Sequence, residues 1–284
     1  MRELLANRYR LRRRIADGGM GTVYEAYDVA RDFRCAIKVL NSEYASHPRA
    51  VRRFLRESDI MGLLANDHIV PIVDSGTHAG VPFLVMEFLE GQDLGKLLLE
   101  HQRLPVQRAL KLALEACRGL RAVHAAGLVH RDLKPSNIFV ARNREGGETA
   151  KILDFGVAKL RGEAGGTGEG ALIGTAAYMA PEQIICGRDV DGRADIYSLG
   201  AVLYESLSGA RLYQGDRNNV LYSILGDDPV PLQGLCPELP LGLAEVITRA
   251  LARATVDRYL NVEQFSAALL PFAAAFRESS LGGQ

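Results

Sequence analysis

The spacing of apolar residues changes at Glu90-Gly91-Gln92, and this change constrains the fold more than any other feature of the sequence. Before it, branched and aromatic residues form short runs between glycines or charged turns, which is the pattern of β-strands. After it, apolar residues recur at helical spacing over longer stretches. The chain is therefore predicted to belong to the α+β class, with a small sheet-rich half followed by a larger, mainly helical half.

The same patterns predict the individual elements. In the first half we expect strands at residues 10–15, 21–28, 34–40 and 81–87, and one main helix at about 49–64. In the second half we expect helices at residues 106–126 and 194–207 and short strands at 138–141 and 150–153. The helix at 194–207 is apolar on most sides, so it is predicted to be buried.

The composition excludes several classes of protein. Lys and Arg together number 34, as do Asp and Glu, so no net charge draws the chain to nucleic acid or to an anionic membrane. The four cysteines stand singly, which argues against a zinc site or a disulfide scaffold and favours a reduced, cytoplasmic location. No apolar run approaches the ~18 residues that a membrane span needs. We expect no nucleic-acid partner and no membrane segment within this chain.

Glycines are concentrated between the first two predicted strands, in residues Ile15–Tyr24, called here the glycine hairpin. Gly18 and Gly21 would let backbone N–H groups approach a polyphosphate closely. A glycine-rich hairpin is also a common plain turn, so this feature alone does not decide between the two interpretations.

Lys38 lies in the third predicted strand, and Glu57 lies in the helix that follows. A strand lysine can reach toward the phosphates of a nucleotide, and a carboxylate can hold the ammonium group in place. By themselves, these two residues are more commonly a solvated edge lysine and a surface glutamate.

The most specific motif is His130-Arg131-Asp132-Leu133-Lys134-Pro135-Ser136-Asn137, followed by Asp154-Phe155-Gly156. With the glycine hairpin, Lys38 and Glu57 before it, this order resembles the eukaryotic-type (Hanks-type) serine/threonine protein kinases, in particular their bacterial branch. The resemblance implies a bilobal α+β fold with a small antiparallel-sheet N-lobe and a larger helical C-lobe. It places a catalytic domain at residues 1–275, with the N-lobe at 8–86, the hinge at 87–91, the C-lobe at 92–275 and a frayed tail at 276–284.

The resemblance also implies roles for the residues that carry the chemistry. Asp132 would orient the acceptor hydroxyl, and Lys134 would stabilise charge on the γ-phosphoryl group of ATP. Asn137 and Asp154 would hold Mg²⁺ or Mn²⁺ through oxygen atoms. Lys38, paired with Glu57, would hold the α- and β-phosphates.

For the nucleotide base, the resemblance implies contacts with the backbone of Glu87 and Leu89, although an ordinary strand end is the alternative interpretation. Met86 would gate the pocket behind the base. The remaining residues expected around ATP are Ile15, Gly18, Gly21, Val23 and Ala36.

Further residues are implied to act in substrate docking, support and regulation. Gly174-Thr175 and Lys134 are typical of kinases that act on serine and threonine residues of proteins, and Thr175 is also a candidate regulatory position. Glu182 would pair with Arg258, and Asp195 would accept hydrogen bonds from the backbone of the His130–Asn137 loop. We hypothesise that Thr167 is autophosphorylated, in trans within a transient homodimer, and then contacts Arg131.

Three matters stay open at the level of the sequence. Ala16 replaces the first glycine that the family usually carries in its hairpin, which predicts at most a modest change in nucleotide affinity. A pseudokinase scaffold and a small-molecule phosphotransferase of related fold are the alternative functions. The resemblance also allows this chain to be the cytoplasmic kinase domain of a larger, membrane-anchored protein.

Overall fold

The computed structural model describes residues 4–18, 20–142, 146–154, 176–185 and 190–281, without the side chains of residues 53, 56–61, 63 and 276–281. The chain divides into two compact units, Met1–Glu90 (unit 1) and Gly91–Gln284 (unit 2). The boundary coincides with the change in apolar spacing at Glu90-Gly91-Gln92.

Unit 1 contains a five-stranded antiparallel sheet and a helix that packs on it. The strands lie in the spatial order β1-β2-β3-β5-β4. Their bounds are β1 Tyr9–Asp17, β2 Gly21–Asp28, β3 Phe33–Leu40, β4 Ile72–His78 and β5 Val81–Glu87. Between β3 and β4 lie the helices α1 Ser42–Ala45 and α2 Pro48–Leu63.

Alternate residues of β3 supply the two faces of this sheet, as the two-residue period of a strand requires. Cys35 and Ile37 are fully buried on one face, in a cluster with Tyr9 and Phe83. Leu40 is buried in a second cluster with Phe54 of α2 and Leu84 of β5. Lys38, two residues before Leu40, therefore lies on the face that α2 covers.

Unit 2 is mainly helical and carries a second, three-stranded antiparallel sheet in the order β6-β7-β8. Its strands are β6 Gly91–Asp93, β7 Ile138–Arg142 and β8 Glu148–Ile152. Its helices are α3 Leu94–His101, α4 Val106–Ala125, α5 Pro181–Ile185, α6 Arg193–Ser208, α7 Arg217–Gly226, α8 Leu232–Leu235, α9 Leu241–Ala250 and α10 Val262–Leu281. Short 3-10 turns occur at Pro135–Asn137 and Thr255–Asp257.

Helix α6 forms the centre of the core of unit 2. Its residues are buried around nearly the whole helix circumference, including Ile196, Leu199 and Leu203. This confirms the prediction that an all-round apolar helix is buried. Helices α4, α9 and α10 contribute further side chains to the same cluster.

The elements predicted from the sequence are present, with small differences at their ends. Helix α2 begins at Pro48, one residue earlier than expected, because proline fits the first turn of a helix, where its missing N–H is not needed. Strand β4 was not predicted, since Asp74, Ser75 and Thr77 give this edge strand a polar composition. Helix α10 continues to Leu281, so the segment predicted as a frayed tail is helical as far as that residue.

Candidate active site

The motif His130–Asn137, called here the polar loop, connects the end of α4 to the start of β7 in unit 2. Leu133 and Pro135 are buried within it and fix the loop to the core. The polar side chains on either side of them are partly exposed or hydrogen-bonded. The loop therefore combines apolar anchors with a set of polar side chains.

Two of these groups converge on the carboxylate of Asp132. Its Oδ2 lies 3.0 Å from Nζ of Lys134. The same oxygen accepts a hydrogen bond of 3.3 Å from Nδ2 of Asn137, which also donates to the Asp132 carbonyl at 2.8 Å. An ammonium group and an amide thus hold this carboxylate in one orientation.

The contacts of Asn137 also fix the direction of its own side chain. A carbonyl oxygen can only accept a hydrogen bond, so the amide nitrogen must face the Asp132 carbonyl and the amide oxygen must face the other way. Within the described parts of the chain, no group donates a hydrogen bond to this Oδ1. It is an oxygen available as a ligand.

Asp195, at the start of α6, holds the first residues of the polar loop. Its fully buried carboxylate accepts hydrogen bonds from the N–H groups of His130 and Arg131, at 2.8 and 2.9 Å. Nε2 of His124, in the last turn of α4, lies 2.8 Å from the same carboxylate. The backbone contacts are those expected from the sequence, whereas the contact with His124 was not foreseen.

His130 ties the polar loop to the segment that carries Asp154. Its Nδ1 accepts a hydrogen bond from the Asp132 N–H at 3.3 Å, so Nε2 carries the proton and donates to the Leu153 carbonyl at 3.1 Å. Burial of the ring lowers the pKa of His130 below its usual value and keeps this neutral form, although the nearby carboxylates of Asp195, Asp132 and Asp154 act in the opposite direction.

A second contact fixes the same segment. The N–H of Leu153 donates to the Asn137 carbonyl at 2.8 Å. Asp154 therefore follows directly on a residue that is hydrogen-bonded to the polar loop through both its N–H and its C=O. Phe155 and Gly156, which complete the motif, lie outside the described residues.

Two residues of this region have a backbone conformation that is rare for side chains with a Cβ atom. Arg131 has a φ of 64° and Asp154 a φ of 25°. Such conformations occur where the surrounding structure enforces them, and they are concentrated at functional sites. Nothing in the sequence indicated them, because neither arginine nor aspartate requires this conformation.

The predicted ion pair between Glu182 and Arg258 is present. The guanidinium is fully buried and makes two parallel hydrogen bonds to the carboxylate, at 2.7 and 2.8 Å. Its other N–H groups donate to the carbonyls of Ala252, Arg193 and Arg253, so all five donors are used. This arrangement anchors α5 to the helical core.

The described part of the predicted docking segment begins at Ala176. The hydroxyl of Tyr178 donates to the carboxylate of Glu205 on α6, and Ser198 donates to the Tyr178 carbonyl at 2.7 Å. Burial raises the pKa of Glu205 above its ordinary value. Both predicted regulatory threonines, Thr167 and Thr175, lie outside the described residues.

In unit 1, Lys38 stands in the middle of β3, opposite Val23 of β2 and Leu84 of β5. Only 6% of the residue is exposed. This burial excludes the interpretation of Lys38 as a solvated edge charge. The backbone of Glu57 lies in α2, and its side chain is outside the described part of the chain.

The glycine hairpin closes with a hydrogen bond of 2.9 Å from the Gly18 N–H to the Gly21 carbonyl. A Cβ atom at Gly21 would lie 2.7 Å from the Val39 carbonyl oxygen, so glycine is required at this position. Ala16 pairs with Val23 directly after an irregularity in the strand register between Arg14 and Ala16, its φ is not positive, and Ile15 is 37% exposed. Alanine is therefore compatible with the backbone conformation at position 16.

The predicted hinge begins at the end of β5. Met86 is buried, and the Glu87 N–H donates to the Pro71 carbonyl at 3.1 Å. Among the residues that the structure describes, none accepts a hydrogen bond from the Leu89 N–H. The Arg34 guanidinium lies 3.6 Å from the centre of the Phe88 ring, which fixes the segment against β3.

No helix in the described part of the chain has both the length and the apolar character to cross a membrane. Within the same residues, no three or more His, Cys, Asp and Glu side chains form a cluster suited to a metal ion. A metal bound with the help of Asn137 would not require such a cluster, since an amide oxygen is one of its ligands.

Comparison with known proteins gives a consistent result. The protein kinase domain family matches residues 9–234. The serine/threonine-protein kinase Pkn1 of Myxococcus xanthus is 39% identical over 264 residues, which cover 92% of this chain and 38% of Pkn1. PknA of Mycobacterium tuberculosis is 38% identical over 279 residues, covering 96% of this chain and 63% of PknA. This chain thus spans less than two thirds of either relative.

Solved structures agree on the fold. The crystal structure of the Mycobacterium tuberculosis PknI kinase domain has a TM-score of 0.71 and 28% sequence identity, over 93% of this chain and 95% of that chain. A second crystal structure of the same domain has a TM-score of 0.74 at 27% identity. The resemblance found in the sequence is confirmed: the chain belongs to the protein kinase domain family, and within it to the eukaryotic-type serine/threonine kinases of bacteria.

Proposed function

We propose that this domain transfers the γ-phosphoryl group of Mg-ATP to serine and threonine hydroxyls of protein substrates. The observation that carries the proposal is the convergence of Lys134 and Asn137 on the carboxylate of Asp132, with Asp154 fixed next to the same loop through Leu153. Membership of the kinase family supports the use of ATP and a divalent metal ion.

Asp132 is proposed to accept a hydrogen bond from the acceptor hydroxyl and to receive its proton as the phosphoryl group is transferred. Lys134, which lies 3.0 Å from Asp132, would neutralise charge on the γ-phosphoryl oxygens. Because phosphoryl transfer depends chiefly on alignment and charge stabilisation, the fixed orientation of Asp132 favours this role over a purely structural one.

The residues present fit a magnesium ion. The Oδ1 of Asn137 is directed away from the polar loop's own hydrogen bonds, and the carboxylate of Asp154 would supply a second hard oxygen ligand. We propose that these two residues hold Mg²⁺ or Mn²⁺. When bound, the ion would neutralise the β- and γ-phosphate oxygens.

Unit 1 is proposed to bind the nucleotide. Lys38 would pair with the α- and β-phosphates, with Glu57 as its partner, and the N–H groups of the glycine hairpin would face the phosphates. The Leu89 N–H supports a role in recognising the adenine edge, since no described residue accepts its hydrogen bond. Met86 would limit the pocket behind the base, and Ile15, Val23 and Ala36 would supply apolar contacts.

The proposal is tested by incubating the purified protein with Mg-ATP labelled at the γ-phosphate, alone and with a generic basic protein as acceptor. Lys38→Met and Asp132→Asn serve as controls. We expect label on serine and threonine, reduced at least about 100-fold in both variants, which corresponds to about 2.7 kcal/mol. Absence of label with the wild-type protein would favour the scaffold alternative, and transfer to a small molecule alone would favour the phosphotransferase alternative.

We further propose that Thr167 and Thr175 are regulatory positions and that Arg131 responds to phosphorylation of Thr167 within a transient homodimer. In the structure, the Arg131 guanidinium donates to the Val190 carbonyl at 3.3 Å, a weak contact that a phosphate group would outcompete. Mass spectrometry after incubation with Mg-ATP tests this, and fully active enzyme with unmodified Thr167 would contradict it.

A further inference from the structure

The side-chain amide of Gln183, in α5, donates one hydrogen bond and accepts another. Its Nε2 donates to the Arg131 carbonyl at 2.9 Å. Its Oε1 accepts from the Ala180 N–H at 3.0 Å. Because a carbonyl only accepts and an N–H only donates, the two contacts fix which way the amide points.

One of these contacts is ordinary helix capping. Helix α5 begins with Pro181, and Gln183 is its third residue. A glutamine or glutamate at this position commonly reaches back to the N–H of the residue before the helix, here Ala180. A glutamate would make this contact as well as the native glutamine does, since only an acceptor is needed.

The other contact has no part in capping, because it joins α5 to a residue 52 positions earlier in the chain. Arg131 is thereby held on both sides, with its N–H on the Asp195 carboxylate and its C=O on Gln183. Its φ of 64° is a conformation that is unfavourable for a residue with a Cβ atom, so it requires such support.

The supported peptide group is the one that leads into Asp132. Its oxygen is bound by Gln183, and its N–H donates to Nδ1 of His130 at 3.3 Å. Both ends of the peptide plane are therefore fixed. The direction in which the Asp132 side chain leaves the backbone depends on this plane.

We propose that Gln183 is a positioning residue for Asp132, acting through the Arg131 carbonyl. By the same contact it connects the helix that follows the docking segment to the polar loop. This inference rests on the proposed function, because it assigns Gln183 to the positioning of the residue that orients the acceptor hydroxyl.

Two variants separate the positioning role from helix capping. Gln183→Glu keeps the cap on Ala180 but has no N–H for the Arg131 carbonyl, while Gln183→Met lacks both contacts and adds no charge. We expect kcat to fall about tenfold in both, equivalent to about 1.4 kcal/mol, with the KM for ATP within about twofold of the wild-type value. A role in capping alone predicts wild-type kcat for Gln183→Glu.

Gln264 provides the matched control, since it is also the third residue of its helix. Its Oε1 accepts from the Leu260 N–H at 3.1 Å, and across the described chain its Nε2 donates no hydrogen bond. Gln264→Glu and Gln264→Met are therefore expected to leave kcat unchanged. An equal loss of kcat in the Gln264 and Gln183 pairs would show that the effect is not specific to Arg131.

Hydrogen exchange on the same proteins tests the contact between Gln183 and the Arg131 carbonyl independently of activity. We expect Gln183→Glu to increase amide exchange of the polar loop while the amides of α5 keep their protection. Unchanged kcat and unchanged exchange in Gln183→Glu would overturn the inference. An inactive wild-type protein would instead refute the proposed function, and the exchange measurement would still decide whether Gln183 holds the loop.

Discussion

The polar loop of unit 2 and the glycine hairpin of unit 1 are both expected to contact ATP or its acceptor, yet they are held in different ways. In the polar loop, buried groups fix the backbone from outside, with Asp195 on one side and Leu153 on the other. The glycine hairpin lies at the end of an exposed strand. It closes with a backbone hydrogen bond of its own, and from outside it is held by Asn41, whose N–H donates to the Met20 carbonyl at 2.9 Å. The difference indicates that the groups proposed for phosphoryl transfer are held by more buried contacts than the backbone proposed to face the phosphates.

The largest expected effect comes from removing the buried support of the polar loop. Asp195→Ala leaves two backbone N–H groups without their acceptor, and we expect it to lower the free energy of unfolding by about 3 kcal/mol. Asp17→Ala, in the glycine hairpin, removes an exposed contact with Arg14 and should cost less than about 0.5 kcal/mol. Urea unfolding of the two variants measures both. Equal losses would contradict the comparison.

A smaller effect should appear in the pH dependence of stability. The folded-state pKa of His130 is lowered by burial, so the unfolded chain binds a proton at a higher pH than the folded chain does. This destabilises the fold as the pH decreases below the unfolded value of about 6.5, by at most about 1.4 kcal/mol per pH unit, and has no effect well above it.

Replacing this histidine should remove that part of the pH dependence. Because glutamine does not titrate, we expect the free energy of unfolding of His130→Gln to decrease less steeply than that of the wild type between about pH 6.5 and pH 5. Denaturant unfolding at several pH values provides the measurement. Parallel curves for the two proteins would show that His130 is not kept neutral by burial.

The smallest effect is expected in the glycine hairpin itself. Ala16 pairs with Val23 and has no positive φ that would favour glycine, so Ala16→Gly should change kcat/KM for ATP by less than about tenfold. Gly21→Ala is the contrasting variant, because its Cβ would lie 2.7 Å from the Val39 carbonyl oxygen. We expect it to change kcat/KM more than Ala16→Gly does, and to lower it. Steady-state kinetics decides the order, and a hundredfold gain in Ala16→Gly would contradict it.

The sequence was informative where chemistry restricts the residue type. The α+β class, the strand that carries Lys38 and the burial of α6 followed from apolar spacing alone. The contacts of Glu182 with Arg258 and of Asp195 with the polar loop followed from the family resemblance, and both contacts are present.

Other features could not be predicted because they arise only from tertiary placement. The contacts of His124 with Asp195 and of Gln183 with Arg131 join residues far apart in the chain, without a local signal at either end. The positive φ of Arg131 is stabilised by the hydrogen bonds of its backbone with Asp195 and Gln183, because arginine itself does not favour this conformation. Strand β4 was not predicted, because an edge strand tolerates polar residues on both faces and so lacks a clear apolar pattern.

We propose that the contacts of the polar loop place Asp132 for phosphoryl transfer and not for nucleotide binding. The most direct test measures, for Asp132→Asn, both the affinity for Mg-ATP and the single-turnover rate of γ-phosphate transfer to a protein acceptor. We predict an affinity within about threefold of the wild-type value and a transfer rate at least about 100-fold lower. A transfer rate equal to that of the wild type would contradict the claim.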